Sequence, residues 1–370
     1  MSSMIDQNLK ISIFGESHSA QIGVVIDNLP AGIPIDMDKV GAFMARRAPK
    51  KETYSTARRE ADIPQVVSGL FEGHTTGTPL CAVISNTDTR SQDYKQMQSK
   101  ARPGHADYTG YLRYHGQNDY RGGGHFSGRL TAPLCFAGAV ALQALERLGV
   151  TIGAHILSLG GVWDNAFDPV GITPEDLQAV TAADFPVTVN PVKLKMLEAV
   201  EKARLDLDSV GGTIECCAVG VKAGLGSPMF DGLENVISRI AFGIPAIKGI
   251  EFGSGFDCAG MTGKEHNDPF YIDENGQIKT KTNNHGGILG GISSGMPLIF
   301  RVAVKPTASI GAQQETVDFI KEENTTLSIT GRHDPCIVPR AVPCVEAALA
   351  IALLDAYMAP TLDLTEKGGR

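Results

Sequence analysis

Apolar and polar positions change rhythm several times along the chain. Residues 10–14 and 22–26 are short apolar runs around a glycine-containing turn, and Leu29-Pro30-Ala31-Gly32 closes the second; this predicts an opening hairpin. Residues 38–45 have helical spacing and lead into a basic stretch with no clear period. Residues 66–71 and 79–84 are β-branched runs on either side of His74-Thr75-Thr76-Gly77, which predicts a second hairpin. Residues 131–148 are apolar nearly all round, with Arg147 near the end and Gly149 after it, the pattern of a buried helix with a glycine stop. Residues 343–358 read the same way. Two such helices, far apart in sequence, need cover on several sides and predict a central layer between sheets. Residues 193–208 predict an ordinary amphipathic helix, and 212–221 and 297–305 predict strands. With no fixed repeat and no linker, the expected organisation is one interwoven α+β domain over residues 1–370.

Composition narrows the class. The 42 glycines among 370 residues are about 11% against a usual ~7%, so much of the backbone turns sharply or approaches something closely. No membrane span or secretory leader is read from the chain, and a soluble, cytoplasmic protein is expected. The seven cysteines are odd in number and scattered, without a CxxC pair; neither a disulfide framework nor a metal site is predicted.

The net charge is −8, but it is unevenly placed. Residues 46–60 carry six Lys+Arg against two acids, and residues 90–129 carry seven against three. Two basic islands in an acidic chain suggest a focused anion site. Solvated loops remain the other reading of the islands. The acidic pI of about 5.6 argues against nucleic acid.

Candidate chemistry clusters at glycines. Phe14-Gly15-Glu16-Ser17-His18 follows the first strand, Arg102-Pro103-Gly104-His105-Ala106-Asp107 lies in the second island, and Arg121-Gly122-Gly123-Gly124-His125-Phe126-Ser127-Gly128-Arg129 precedes the first buried helix. Asn284-His285-Gly286-Gly287-Ile288-Leu289-Gly290-Gly291, Lys305-Pro306-Thr307-Ala308-Ser309 and Gly331-Arg332-His333-Asp334-Pro335-Cys336 come later. Glycine turns ahead of a helix present N–H groups to phosphate, and arginines grip carboxylate or phosphate through two N–H groups.

These motifs, in this order, resemble the chorismate synthase family over about residues 10–359, with a tail at 360–370 that is expected to be flexible. The resemblance implies a β-α-β sandwich with central buried helices between antiparallel sheets and a homotetramer. It further implies an anti 1,4-elimination that turns 5-enolpyruvylshikimate 3-phosphate into chorismate and phosphate, the last common step toward the aromatic amino acids. Reduced FMN is implied as cofactor without net redox change. The reductant is expected to be external, because no extension reads as a flavin reductase using NADPH.

By the same resemblance, His18 matches the histidine that protonates reduced flavin, His105 the one near the departing phosphate, and Asp334 an aspartate that assists proton removal. Imidazoles suit the first two roles, since they titrate near neutrality. The implied FMN contacts are His125, Phe126, Ser127, Pro245, Ala246, Gly290, Lys305, Pro306, Thr307, Ala308, Ser309 and Arg332. The implied substrate arginines are Arg47, Arg102, Arg129 and Arg340; Arg58 and Arg59 also match family positions. The chain departs from the family pattern at Ser19, at Ala48-Pro49-Lys50, at Thr53, at His125-Phe126 and at Gly128. A divergent relative acting on another anionic cyclohexene phosphate, or a binding protein that has lost turnover, are the competing readings.

Overall fold

A computed structural model of the chain describes residues 3–49, 62–87, 97–329 and 334–359. The chain opens with β1 (Met4–Asp6), β2 (Lys10–Gly15), β3 (Gln21–Asp27) and α1 (Met37–Arg47). β4 (Gln65–Ser68), a small hairpin of β5 (Leu70–Phe71) and β6 (His74–Thr75), and β7 (Leu80–Ser85) follow. β1-β2-β3-β7-β4, in that order, form one antiparallel sheet. After α2 (Asp107–Arg113) and α3 (Thr131–Glu146) come β8 (Thr151–Leu159), β9 (Val162–Trp163), α4 (Pro174–Ala182), α5 (Asn190–Leu205) and β10 (Gly212–Val219). α6 (Leu233–Ala241), β11 (Ile247–Phe252), α7 (Gly263–His266) and two hairpins, β12 (Phe270–Ile272) with β13 (Ile278–Thr280) and β14 (Ile288–Leu289) with β15 (Ile292–Ser293), lead to β16 (Leu298–Val304). β17 (Gln314–Asp318), β18 (Glu323–Leu327) and α8 (Val338–Met358) end the described chain. The second antiparallel sheet runs β11-β16-β10-β8-β9.

The layer order follows from which faces are apolar. α3 packs on β2, β3 and β7, α8 packs on β8 and β10, and α3 and α8 pack on each other, with α1 and α6 beside them. Two helices thus fill the space between two sheets, the central layer that their all-round apolarity demands. A Cβ on Gly138 would stand 2.2 Å from the Ala347 Cβ, so the two helices meet at small side chains. α3 with its lead-in turn and α8 have the length and composition of membrane spans, yet 83% of each apolar window is buried in the fold. Core packing accounts for their hydrophobicity. α4 covers β8 from outside, which buries that strand on both faces, whereas the first sheet keeps the alternating pattern of a half-covered one, as in β7.

Boundaries differ from expectation where local chemistry decides. α3 stops at Glu146, and Gly149 takes φ +79 as the helix ends. α8 begins five residues before the expected proline: Pro339 occupies the first turn and Pro343 is carried inside the helix. The tight hairpin near residue 73 is β5–β6; β4 instead pairs with β7 through a register shift between Val66 and Ser68.

Candidate active site

The turn after β2 is clamped from several sides. Ser17 N–H donates to Gly124 O (3.1 Å), and the Asn86 amide donates to Glu16 O (3.1 Å) and Ser19 O (2.8 Å). Ser19 accepts from Glu16 N–H and donates to Gln21 O (2.7 Å), so this departure from the family pattern latches the turn. The facing loop places Gly122, Gly123 and Gly124 in succession at φ +60, +84 and +54, a run that side-chain-bearing residues do not sustain. The buried His18 ring lies directly against Gly122, where a Cβ would stand 2.3 Å from Cε1.

In front of this turn lies a cavity of roughly 560 Å³, within the usual range of ligand pockets. Its wall is assembled from distant segments. Arg47 and Pro49 come from the end of α1, Arg102, Gly104 and His105 from the second basic island, and Gly122 and His125 to Arg129 from the glycine loop. Pro245 and Ala246 precede β11, Lys305 to Ser309 follow β16, and Asp334, Arg340 and Cys344 come from the entry and first turns of α8. His18 does not line the cavity; it sits one layer behind Gly122. Gly290 does not line it either, being exposed in the β14–β15 turn. Arg332, Arg58, Arg59, Lys50 and Thr53 lie outside the described residues.

The arginines are anchored by carboxylates. Arg102 donates through Nε and Nη2 to Asp107 (both 2.7 Å) and through Nη1 to Ser309 Oγ (3.1 Å). His105 Nδ1 lies 2.9 Å from the same Asp107. Burial alone would raise the Asp107 pKa, but the hydrogen bonds from Arg102 and His105 outweigh it and hold the carboxyl well below its usual range. Arg47 Nη1 is 2.5 Å from Asp62 Oδ2, while Arg129 donates to Asp62 Oδ1. Arg340 Nη1 is 2.5 Å from Asp334 Oδ2.

Five cationic side chains thus line the cavity and three carboxylates answer them, which leaves two positive charges among the described residues. Two of the cations are disfavoured in their charged form, chiefly by burial. Burial pushes the Arg340 pKa down and neighbouring Arg47 adds to it; burial and Lys248 push Lys305 down. A bound anion would relieve both. Thr307 Oγ1 is buried without a hydrogen-bond partner among the described residues, an orphaned polar group in the same wall.

His125 and Phe126 face the cavity but are also tied into the protein. His125 Nδ1 is 2.7 Å from Gly15 O, so that nitrogen carries the proton and donates, and Nε2 is 2.5 Å from Ser3 Oγ. Phe126 packs against Tyr114 and against Gly110, where a Cβ would stand 2.7 Å from its ring. Sequence reasoning passed over Asp62, Asp107 and Cys344. Asp107 lies inside a quoted motif, and an acid five residues after Arg102 was a usable signal; for Asp62 no spacing gives it away.

The sequence that builds this cavity matches a known family over nearly its whole length. A sequence profile described as "Chorismate synthase" matches residues 9–358. The chain belongs to the chorismate synthase family. Relatives of that name include one from Korarchaeum cryptofilum, 44% identical over 95% of this chain and 96% of the relative. Another, from Thermococcus gammatolerans, is 46% identical over 94% and 95%. A third, from Methanosarcina acetivorans, is 45% identical over 94% of each. A crystal structure of a chorismate synthase superposes with TM-score 0.72 at 25% identity, covering 95% of this chain and 91% of the other. The fold is therefore the α+β chorismate synthase fold, and the chemistry is that of a carbon–oxygen lyase.

Proposed function

We propose that the cavity binds 5-enolpyruvylshikimate 3-phosphate beside reduced FMN and carries out the anti 1,4-elimination that releases phosphate and chorismate. The observation that carries this reading is the surplus of positive charge in the cavity wall, five cations against three carboxylates among the described residues. A ligand bearing two carboxylates and a phosphate answers such a wall. Arg47 and Arg129 are placed to receive its anionic groups, and Arg102 those nearest His105.

The donor set also fits a flavin phosphate and ribityl chain. Lys305 offers an ammonium, Thr307 an unsatisfied hydroxyl and Ser309 a second hydroxyl, while Phe126, Pro245 and Ala246 offer apolar surface to a ring. When bound, reduced FMN supplies electron density to the allylic system and is left unchanged at the end. The protein's own part is proton placement. In its protonated form His105 donates Nδ1–H to Asp107 and has an Nε2–H, 3.3 Å from Arg102 Nη2, to give to the departing phosphate oxygen. Asp334, fixed by Arg340, takes up the proton lost from the ring carbon, and His18 holds a proton behind the glycine turn. One C–O bond and one C–H bond break and a C=C bond forms, so no net oxidation occurs.

We infer homotetramer assembly and an external reductant as well. Phe230 and Phe256 (both 82% exposed), Phe270 (63%) and Ile272 (72%) support a subunit contact, which light scattering would test. The activity test is anaerobic assay with chemically reduced FMN, following chorismate absorbance and phosphate release. Turnover with reduced FMN, none with oxidised FMN in air, and constant flavin are expected. Flavin oxidised in proportion to product would defeat the reading.

A further inference from the structure

We propose that Asp62 is a positioning residue for the reaction: one buried carboxylate that sets the spacing and orientation of Arg47 and Arg129 across the anion end of the cavity. This rests on the reading above, in which those two arginines receive the substrate's anionic groups. Asp62 is 3% exposed and gives one oxygen to each arginine, Oδ2 to Arg47 and Oδ1 to Arg129. Both guanidiniums are themselves nearly inaccessible, at 4%. Among the described residues their other bonds go to neutral acceptors: Arg47 to Thr131 Oγ1 and Gly128 O (both 3.0 Å), and Arg129 to Asn86 Oδ1 (2.9 Å) and Ser85 O (3.5 Å).

A carboxylate is what this geometry requires. Two buried like charges repel strongly in a low-dielectric wall, and a third, Arg340, donates through Nε to Arg47 O (3.1 Å) with Asp334 on its other edge. With Asp62 in place, Arg47 and Arg129 both line the cavity and, with their shared carboxylate, carry a net charge of one among the described residues. The backbone is committed to this arrangement. Asp62 sits at φ +50, a left-handed conformation that aspartate tolerates better than most residues, three positions before β4 fixes the chain in the first sheet. Burial would raise its pKa, but Arg47 and Arg129 lower it, so the carboxylate stays ionised through the working pH range.

The test is steady-state kinetics on full-length Asp62→Asn and Asp62→Glu, with inorganic phosphate as competing probe, thermal melting of each, and Arg47→Gln and Arg129→Gln in parallel. For Asp62→Asn, KM is expected to rise roughly 10- to 100-fold, the effect of misplacing binding groups by about 1 Å. Phosphate inhibition should weaken in step, and kcat should fall less. Asp62→Glu, which keeps the charge, should recover part of the loss, and it carries the same measurement if the asparagine variant does not fold. A lower melting temperature with unchanged KM and phosphate inhibition would reduce Asp62 to a structural role and overturn the proposal. Tighter phosphate binding would overturn it too, by showing that Asp62 merely competes for the site. If the two arginine variants are also silent, the anion assignment itself fails; if they raise KM while the Asp62 variants do not, only the positioning role does.

Discussion

Gly122→Ala separates what the glycine loop does for catalysis from what it does for stability. The new Cβ would stand 2.3 Å from His18 Cε1, 2.4 Å from Nδ1 and 2.5 Å from Ser17 Oγ, where ordinary contact begins near 3.4 Å. The His18 ring has to retreat by roughly 1 Å, a displacement that costs on the order of 10²-fold in turnover when the displaced group takes part in the chemistry. The same substitution also forces a side chain into φ +60, at about 1–2 kcal/mol. Gly73→Ala isolates that second effect: it sits at φ +75 in the β5–β6 turn with nothing within 4 Å. Both variants should therefore lose stability in thermal melts, Gly122→Ala the more because its Cβ also meets buried His18 and Ser17, whereas in the anaerobic chorismate assay only Gly122→Ala should lose activity. Wild-type turnover in Gly122→Ala, with a melt below that of Gly73→Ala, would show that turnover does not depend on where His18 sits.

Three further outcomes follow from packing and charge. Gly138→Ala should destabilise by about 1–3 kcal/mol through overpacking, since its Cβ would meet the Ala347 Cβ at 2.2 Å; an unshifted melting temperature would contradict the close α3–α8 contact. Gly41→Ala, in α1 with open space around it, should stabilise by roughly 0.5–1 kcal/mol through helix propensity, read as a raised denaturation midpoint. Glu215→Gln should destabilise most between about pH 5 and 6.5, above the unfolded glutamate value near 4.3 and where His155 is protonated. His155 lies between Asp164 (3.3 Å) and Glu215 (3.0 Å), with Arg301 also on Glu215; burial would lower its pKa, but the two carboxylates raise it. A raised folded-state pKa contributes stability that is complete below the unfolded value near 6.5 and is lost as pH rises through the folded value. The gap between wild type and variant should accordingly narrow as pH climbs above that range, and a gap that widens in denaturant titrations would contradict a protonated His155.

Much of the architecture is legible in sequence because an all-round apolar helix has few places to go. α3 and α8 announce a central layer without any help from the sheets. β8 is harder to see: α4 outside and α8 inside bury nearly every position, so the two-residue alternation that marks β7 is missing. Within the site, residues beside glycines are legible as chemistry, since a tight turn next to a histidine or arginine is a local signal. Ion partners are not. Asp62 answers Arg47 across 15 positions and Arg129 across 67, and no period or spacing carries such a pairing. For the same reason Arg47 and Arg129, seen from charge alone, are indistinguishable from a solvated basic island.

The carboxylates behind the cavity also resolve an apparent contradiction. An anion site with acids bonded to its arginines looks partly filled by its own side chains. Yet a guanidinium that is 4–5% exposed and unpaired would carry a desolvation penalty of several kcal/mol. It would relieve that penalty by turning outward or by distorting the wall. Asp62, Asp107 and Asp334 prevent this by holding one edge of each planar fork, and a fork fixed on one edge presents the rest in a defined direction. The surplus charge that remains, at Lys305 and on the Arg47–Arg129 pair that shares Asp62, then favours a multiply charged ligand over a single carboxylate. Selectivity for a phosphorylated dicarboxylate therefore arises from how incompletely the wall is neutralised, as much as from how many arginines it contains.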